Sequence, residues 1–139
     1  SSGQLQDLEL KNGLKVYEQV AELVDGWADG RQGAYGFSSV GAVVGATYPE
    51  QARELRKILK RAYFLVPGFG AQGGTAEGAA AAFCESGLGA VVNASRSVLT
   101  AWRHERWEGK YAEDDFAEAA RAEALRMKAE LNAAIGANG

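Results

Sequence analysis

Two short segments carry residue types that could grip an anion. The first, Pro67-Gly68-Phe69-Gly70-Ala71-Gln72-Gly73-Gly74-Thr75, leaves an apolar run and enters a helical pattern. Glycines in such a turn let successive backbone N–H groups point into one concavity, and the helix start adds partial positive charge. Phosphate suits that seat. A tight strand-to-helix turn with spare glycines explains the same residues without a ligand. The second segment, Asn93-Ala94-Ser95-Arg96-Ser97, ends the next apolar run. Its arginine offers a planar donor fork that binds phosphate oxygens in pairs. The plain alternative is an exposed charge opening a helix.

The elements that must position these segments follow from periodicity. Leu5 to Leu10 is short and partly alternating, and Asn12-Gly13 after it is a turn dipeptide. Leu14, Tyr17, Val20, Ala21, Val24 and Trp27 then recur at helical spacing. Three strand–helix units follow. Val40 to Ala46 forms a strand, and Pro49 to Arg61 a helix with proline near its first position, where the missing N–H costs nothing. Ala62 to Val66 is the second strand, and Thr75 can cap the next helix, through Phe83 and Cys84. Ala90 to Ala94 is the third strand, and Ser95-Arg96-Ser97 opens another helical stretch. A long, charged, alanine-rich helix from Asp114 to about Ile135 closes the chain.

Strand starts recur about every 25 residues. Continuous apolar strands imply burial on both faces, as parallel sheets require. Such units build either a doubly wound sheet or a (β/α)8 barrel, and spacing does not choose between them. In barrels, phosphate commonly sits between the loops after the last two strands and a short extra helix. Gln72 and Arg96 would occupy those two loops.

Composition narrows the function classes. The 139 residues suffice for one compact domain, with 47% hydrophobic and 24% charged residues. A net charge of −3 argues against a nucleic-acid footprint. No apolar run approaches a bilayer span, and no basic, apolar leader opens the chain, which points away from export. The single cysteine, Cys84, allows no internal disulfide, which fits a cytoplasmic location. Cys84 is expected as a small core residue. One cysteine and one histidine, His104, do not make a zinc site of those ligand types. Eighteen glycines against two prolines suit many tight turns. Ser1 opens the chain and Met127 is its only methionine; initiator-methionine excision or cleavage from a longer precursor would each leave that pattern.

Pro67-Gly68, then Ala71-Gln72-Gly73-Gly74, then Ser95-Arg96 one strand later, together resemble the strand 7 and strand 8 signature of orotidine 5′-phosphate decarboxylases. Val43-Val44-Gly45-Ala46-Thr47 with Pro49-Glu50 is similar to strand 6 of the longer bacterial branch, as is the closing acidic, alanine-rich helix. The resemblance runs over nearly the whole chain and is densest from Phe37 to Trp102. It implies an α/β fold: residues 1–139 as the C-terminal half of a (β/α)8 TIM barrel, strands 6 to 8 with their helices. It implies loss of CO2 from C6 of orotidine 5′-phosphate to give uridine 5′-phosphate, with no cofactor and no metal.

Site roles follow from the same resemblance. Gln72 would contact the substrate phosphate and reach toward the pyrimidine, and Arg96 would pair with the phosphate. Backbone groups around Gly73 and Ser95 would complete the cradle. Pro67 and Gly68 would line the floor near the reacting carboxylate, and the loop from Gly68 to Gly74 would close over the nucleotide. The family's lysine–aspartate network, partly an Asp-x-Lys-x-x-Asp motif, is absent; Asp114-Asp115 and the scattered lysines lack its spacing. No catalytic residue is therefore assigned here. Ser1 and Ser2 could follow the family's base-contacting serine but are not assigned to the base.

The expected partner is an N-terminal half of the same barrel bearing that network, as a separate polypeptide or as part of one since cleaved. Without it, two strand edges and the barrel interior would face water. A homodimer of complete barrels is expected as well. A non-catalytic phosphate-ligand-binding half-barrel or interaction module is the alternative, and a barrel acting on a sugar phosphate is a third possibility. Trp27, Trp102 and Trp107 are expected as packing anchors, His104 as a solvated surface residue, and the charges from Glu113 to Glu130 as an exposed helix face.

Overall fold

The computed structural model describes residues 3–70 and 73–136. Three parallel strands form one sheet in the order β1 (Gly41–Val43), β2 (Tyr63–Pro67), β3 (Ala90–Asn93). Before it come α1 (Gly3–Gln6) and α2 (Val16–Ala28). The crossovers carry α3 (Pro49–Ile58) and α4 (Ala76–Ala80). After β3 follow α5 (Ser95–Leu99), three short 3₁₀ turns, and α6 (Phe116–Gly136). The expected units are present, with edges that differ for local reasons. Pro49 opens α3 as expected, while Leu59 closes it before Arg61. Past Ala80 the chain tightens: Ala82 and Phe83 donate to Ala79 and Ala80, so α4 stops short of Cys84. Asp115 Oδ2 accepts from the Ala112 N–H at 3.0 Å, and this capped 3₁₀ turn, rather than Asp114 itself, leads into α6.

Burial on the sheet is one-sided: helices cover one face, and the opposite face stays open, as expected for these strands without the rest of a barrel. Phe64 and Val66 are fully buried against the helices, packed with Ala52, Leu59, Ala79 and Ala82. The register aligns Val43, Leu65 and Val91 in one row on the opposite face. They remain 70%, 42% and 52% exposed. Side chains alternate across a strand, so one row is core and the other faces what would be the barrel interior. The apolar composition was designed for two covered faces, and this chain supplies only one cover.

Arg56 of α3 holds the amino-terminal end of the sheet. Its guanidinium donates to the carbonyls of Leu59, Ala62, Ala82 and Gly89 at 2.7–2.9 Å. It also lies 3.6 Å from the ring centroid of Phe64. Burial pushes its pKa down from the ordinary value. Four backbone acceptors and an aromatic face replace the lost water.

Several side chains depart from the bland expectations. Trp27 is exposed rather than an anchor, on the flank of α2 that no described element covers. Trp107 does anchor, through Glu123 of α6, while Trp102 is half-buried with Arg103 over its ring. His104 and Cys84 are each half-buried. Glu123 breaks the expected exposed face: it is buried, because Arg126 and Trp107 satisfy its carboxylate.

Candidate functional site

The register of the last two strands builds the site. Pro67 pairs with Asn93, so β2 and β3 end side by side and release their loops at the same level. Between those loops lies a cleft of about 90 Å³ lined by Pro67, Gly68, Asn93, Ala94, Ser95, Arg96 and Ser97. Four of the six residues picked from the sequence, Pro67, Gly68, Ser95 and Arg96, therefore share one cavity. Gly73 stands outside its lining, and its N–H donates to the Gly70 carbonyl at 2.8 Å. Gln72 lies outside the described residues.

The loop after β2 is shaped by close approach. Gly74 donates to Gly68 O and Gly70 to Gly74 O, both at 3.0 Å, closing the loop on itself. A Cβ on Gly74 would stand 2.6 Å from the Gly68 carbonyl and 2.8 Å from the Ala46 side chain. Gly70, at φ +78°, would press a Cβ to within 2.8 Å of Ser97 Oγ. Packing alone thus requires glycine at these two positions, which accounts for part of the glycine content without a ligand. Phe69 pins the loop from below, buried in a cluster with Ala76, Ala80 and Met127. Thr75 caps α4 as the sequence predicts, its Oγ1 accepting from Gly78 N at 3.0 Å.

Across the cleft, α5 begins directly after β3. Ala94 at its N-cap gives no side-chain hydrogen bond to the first turn. A helix start leaves backbone N–H donors without intrahelical partners, so the turn at Ser95 brings donors beside the cleft. Arg96 is exposed, and its guanidinium takes no hydrogen bond or ion pair among the described residues. Its carbonyl is tied down by Thr100, through N at 3.1 Å and Oγ1 at 2.7 Å. The arrangement can bind an anion: a guanidinium fork, a helix start and a glycine turn border one small space. No lysine, aspartate or glutamate among the described residues lines it. Among the described residues no three His, Cys, Asp or Glu side chains gather as metal ligands. No helix among them is long and apolar enough to cross a membrane.

Ser97, which lines the cleft, and Phe69, buried beneath the glycine loop, received no role from the sequence. A large apolar residue amid glycines was a usable signal for Phe69. A serine beside an arginine gives none.

The three-stranded parallel sheet, its outer edges open among the described residues, and the cleft at the strand ends fit part of a TIM barrel. No family model matches the chain. Its sequence is 46% identical over 129 residues to the orotidine 5′-phosphate decarboxylase of Rhodopirellula baltica, covering 93% of this chain and 42% of that protein. It is 43% identical over 130 residues to the orotidine 5′-phosphate decarboxylase of Clostridium perfringens, covering 92% and 42%. Among solved structures, an orotidine-monophosphate-decarboxylase from Toxoplasma gondii superposes with a TM-score of 0.71 at 29% identity, over 98% of this chain and 48% of its own. The OMP decarboxylase of Leishmania donovani gives a TM-score of 0.63 at 30% identity, over 94% and 44%. The chain spans less than half the length of the relatives it matches. The resemblance to orotidine 5′-phosphate decarboxylases is therefore shown along nearly all of this chain, as one part of that barrel.

Proposed function

We propose that this chain supplies the phosphate-gripping end of an orotidine 5′-phosphate decarboxylase, a lyase that removes CO2 from C6 and leaves uridine 5′-phosphate. The supporting observation is Arg96, exposed and unpaired among the described residues, facing Pro67 and Gly68 across the cleft. It stands in a chain whose relatives carry that enzyme's name. A cavity of about 90 Å³ is too small for a nucleotide, since small-molecule sites usually run to several hundred Å³. It suits the phosphate alone, with ribose and base extending into the barrel interior over Val43, Leu65 and Val91.

In this reading Arg96 pairs with the phosphate dianion, and Ser95 adds a backbone donor from the helix start. Gln72 and Gly73 approach from the facing loop, Gln72 reaching on to the pyrimidine. Pro67 and Gly68 form the floor beside the departing carboxylate. The C6–carboxylate bond breaks with its electron pair left on C6, and a lysine ammonium stabilises that centre and then protonates it. That lysine would come from the Lys/Asp network of the N-terminal half-barrel. Phosphate binding works at a distance: its energy holds the loop closed and offsets strain at the reacting carbon. A cytoplasmic homodimer of complete barrels is part of the same reading.

The test is a decarboxylation assay on orotidine 5′-phosphate paired with intact mass. Turnover is expected only when a second polypeptide carrying Asp-x-Lys-x-x-Asp accompanies the chain, and it should fall when Arg96 is replaced by alanine. Nucleotide binding without turnover in the paired sample would sink the enzyme reading and leave a phosphate-binding module.

A further inference from the structure

Ser97 occupies an unusual place. It is buried, one residue past Arg96, and it lines the cleft with Pro67 and Gly68. The position a Gly70 Cβ would take lies 2.8 Å from its Oγ, 3.6 Å from its own Cβ and 3.4 Å from Met127 Cε. The backbone of the glycine loop therefore rests directly on Ser97, with the buried Met127 of α6 behind it. The two walls meet through little side-chain bulk: the loop offers no side chain at Gly70, and α5 offers a two-atom one. Bulk added at either position must move the loop or the turn that carries Arg96.

We propose that Ser97 is a positioning residue for the phosphate grip: a spacer whose small size sets the separation between the Gly70 loop and the Arg96 turn. The inference rests on the phosphate reading of this cleft. It makes no contact claim between Ser97 and substrate. A threonine or valine at this position forces the two walls apart, and the grip on the phosphate loosens while the rest of the nucleotide is held as before.

The experiment compares binding of uridine 5′-phosphate and uridine to the complete barrel carrying Ser97→Ala, Ser97→Thr, Ser97→Val or Arg96→Ala. An unselective structural defect weakens both ligands together, whereas a displaced phosphate grip weakens only the first. Ser97→Val is expected to lose about 10- to 100-fold in affinity for the nucleotide, as for a displacement near 1 Å, with uridine changed less than about twofold. Ser97→Thr should fall between Val and Ala. Should the larger variants fail to fold, Gly70→Ala and the pair Gly70→Ala/Ser97→Ala give the same readout. Removing Oγ should then restore part of the nucleotide affinity lost by Gly70→Ala. If Arg96→Ala is selective for the nucleotide while the Ser97 variants weaken both ligands equally, or neither, or the pair shows no recovery, the spacer role is wrong. If Arg96→Ala is itself unselective, the phosphate reading fails first and takes the spacer with it.

Discussion

Trp107 donates its indole N–H to the buried carboxylate of Glu123, Nε1 to Oε2 at 2.9 Å. Arg126 completes the group, donating from Nε and Nη2 at 3.0 and 2.8 Å and reaching on to Glu130. Burial alone would push the Glu123 carboxyl up. The hydrogen bonds from Arg126 and Trp107 outweigh it and hold the pKa below the ordinary 4.5. A depressed folded-state pKa gives stability that is complete above the unfolded value and lost as pH falls through the folded one. The complete barrel should therefore lose stability in acid below about pH 4.5, and Glu123→Gln should flatten that slope. The variant should cost about 2 kcal/mol at neutral pH, because half-exposed Arg126 keeps some water. Urea midpoints from pH 3 to 7 for both proteins check the sign; parallel curves would show that Glu123 carries no linkage.

Arg56 should matter for folding and not for binding. Its replacement by alanine leaves four inward carbonyls without their donor and exposes the Phe64 ring, a loss of about 3–5 kcal/mol. Lysine keeps the charge and reaches fewer acceptors, so Arg56→Lys should recover less than half of that. Chemical denaturation of the complete barrel measures both. A cost under about 1 kcal/mol for Arg56→Ala would mean water replaces the guanidinium at those carbonyls.

Arg96 should show the reverse. It is exposed and carries no ion pair among the described residues, so Arg96→Ala should leave the unfolding midpoint nearly unchanged. Affinity for uridine 5′-phosphate should fall by about 2–3 kcal/mol, as for a charge-assisted contact. Calorimetric titration beside a thermal melt separates the two; a large stability loss would place the side chain in the framework instead.

Alone, the chain should not behave as a cooperatively folded monomer. Val43, Leu65 and Val91 form an apolar row open to water, and among the described residues no strand lies beside the outer edges of β1 and β3. Size-exclusion chromatography with urea unfolding should report association or a broad transition. Addition of the missing half-barrel should give one discrete species. A sharp two-state transition from an isolated 14.7 kDa monomer would overturn the need for a partner.

Much of the frame was legible because its signals are local. Proline at the head of α3, threonine before α4 and apolar runs bounded by glycine each encode one element through nearest-neighbour chemistry. The pairing of Pro67 and Gly68 with Ser95 and Arg96 was legible because strands that follow one another through a helix lie side by side. Other features depend on distant contacts and left no local trace. Glu123 sits in an ordinary run of helical charges, and its burial depends on Trp107, sixteen positions away, as well as on its helix neighbour Arg126. Arg56 looks like any basic residue on an amphipathic helix until four carbonyls from three chain segments converge on it. The open face of the sheet was legible only through the resemblance to part of a barrel, because the apolar runs by themselves read as strands covered on both sides.

The pairing of Pro67 with Asn93 has a metrological consequence. Parallel strands can only shift by whole residues, about 3.3 Å at a time, and each single step turns every side chain to the opposite face. Productive geometry in a binding site tolerates about 0.5 Å. The ladder between β2 and β3 is therefore a ruler with one usable graduation. Its neighbouring marks are unreachable without turning Phe64 and Val66 out of the core, so the same burial that stabilises the sheet calibrates the gap between the two loops.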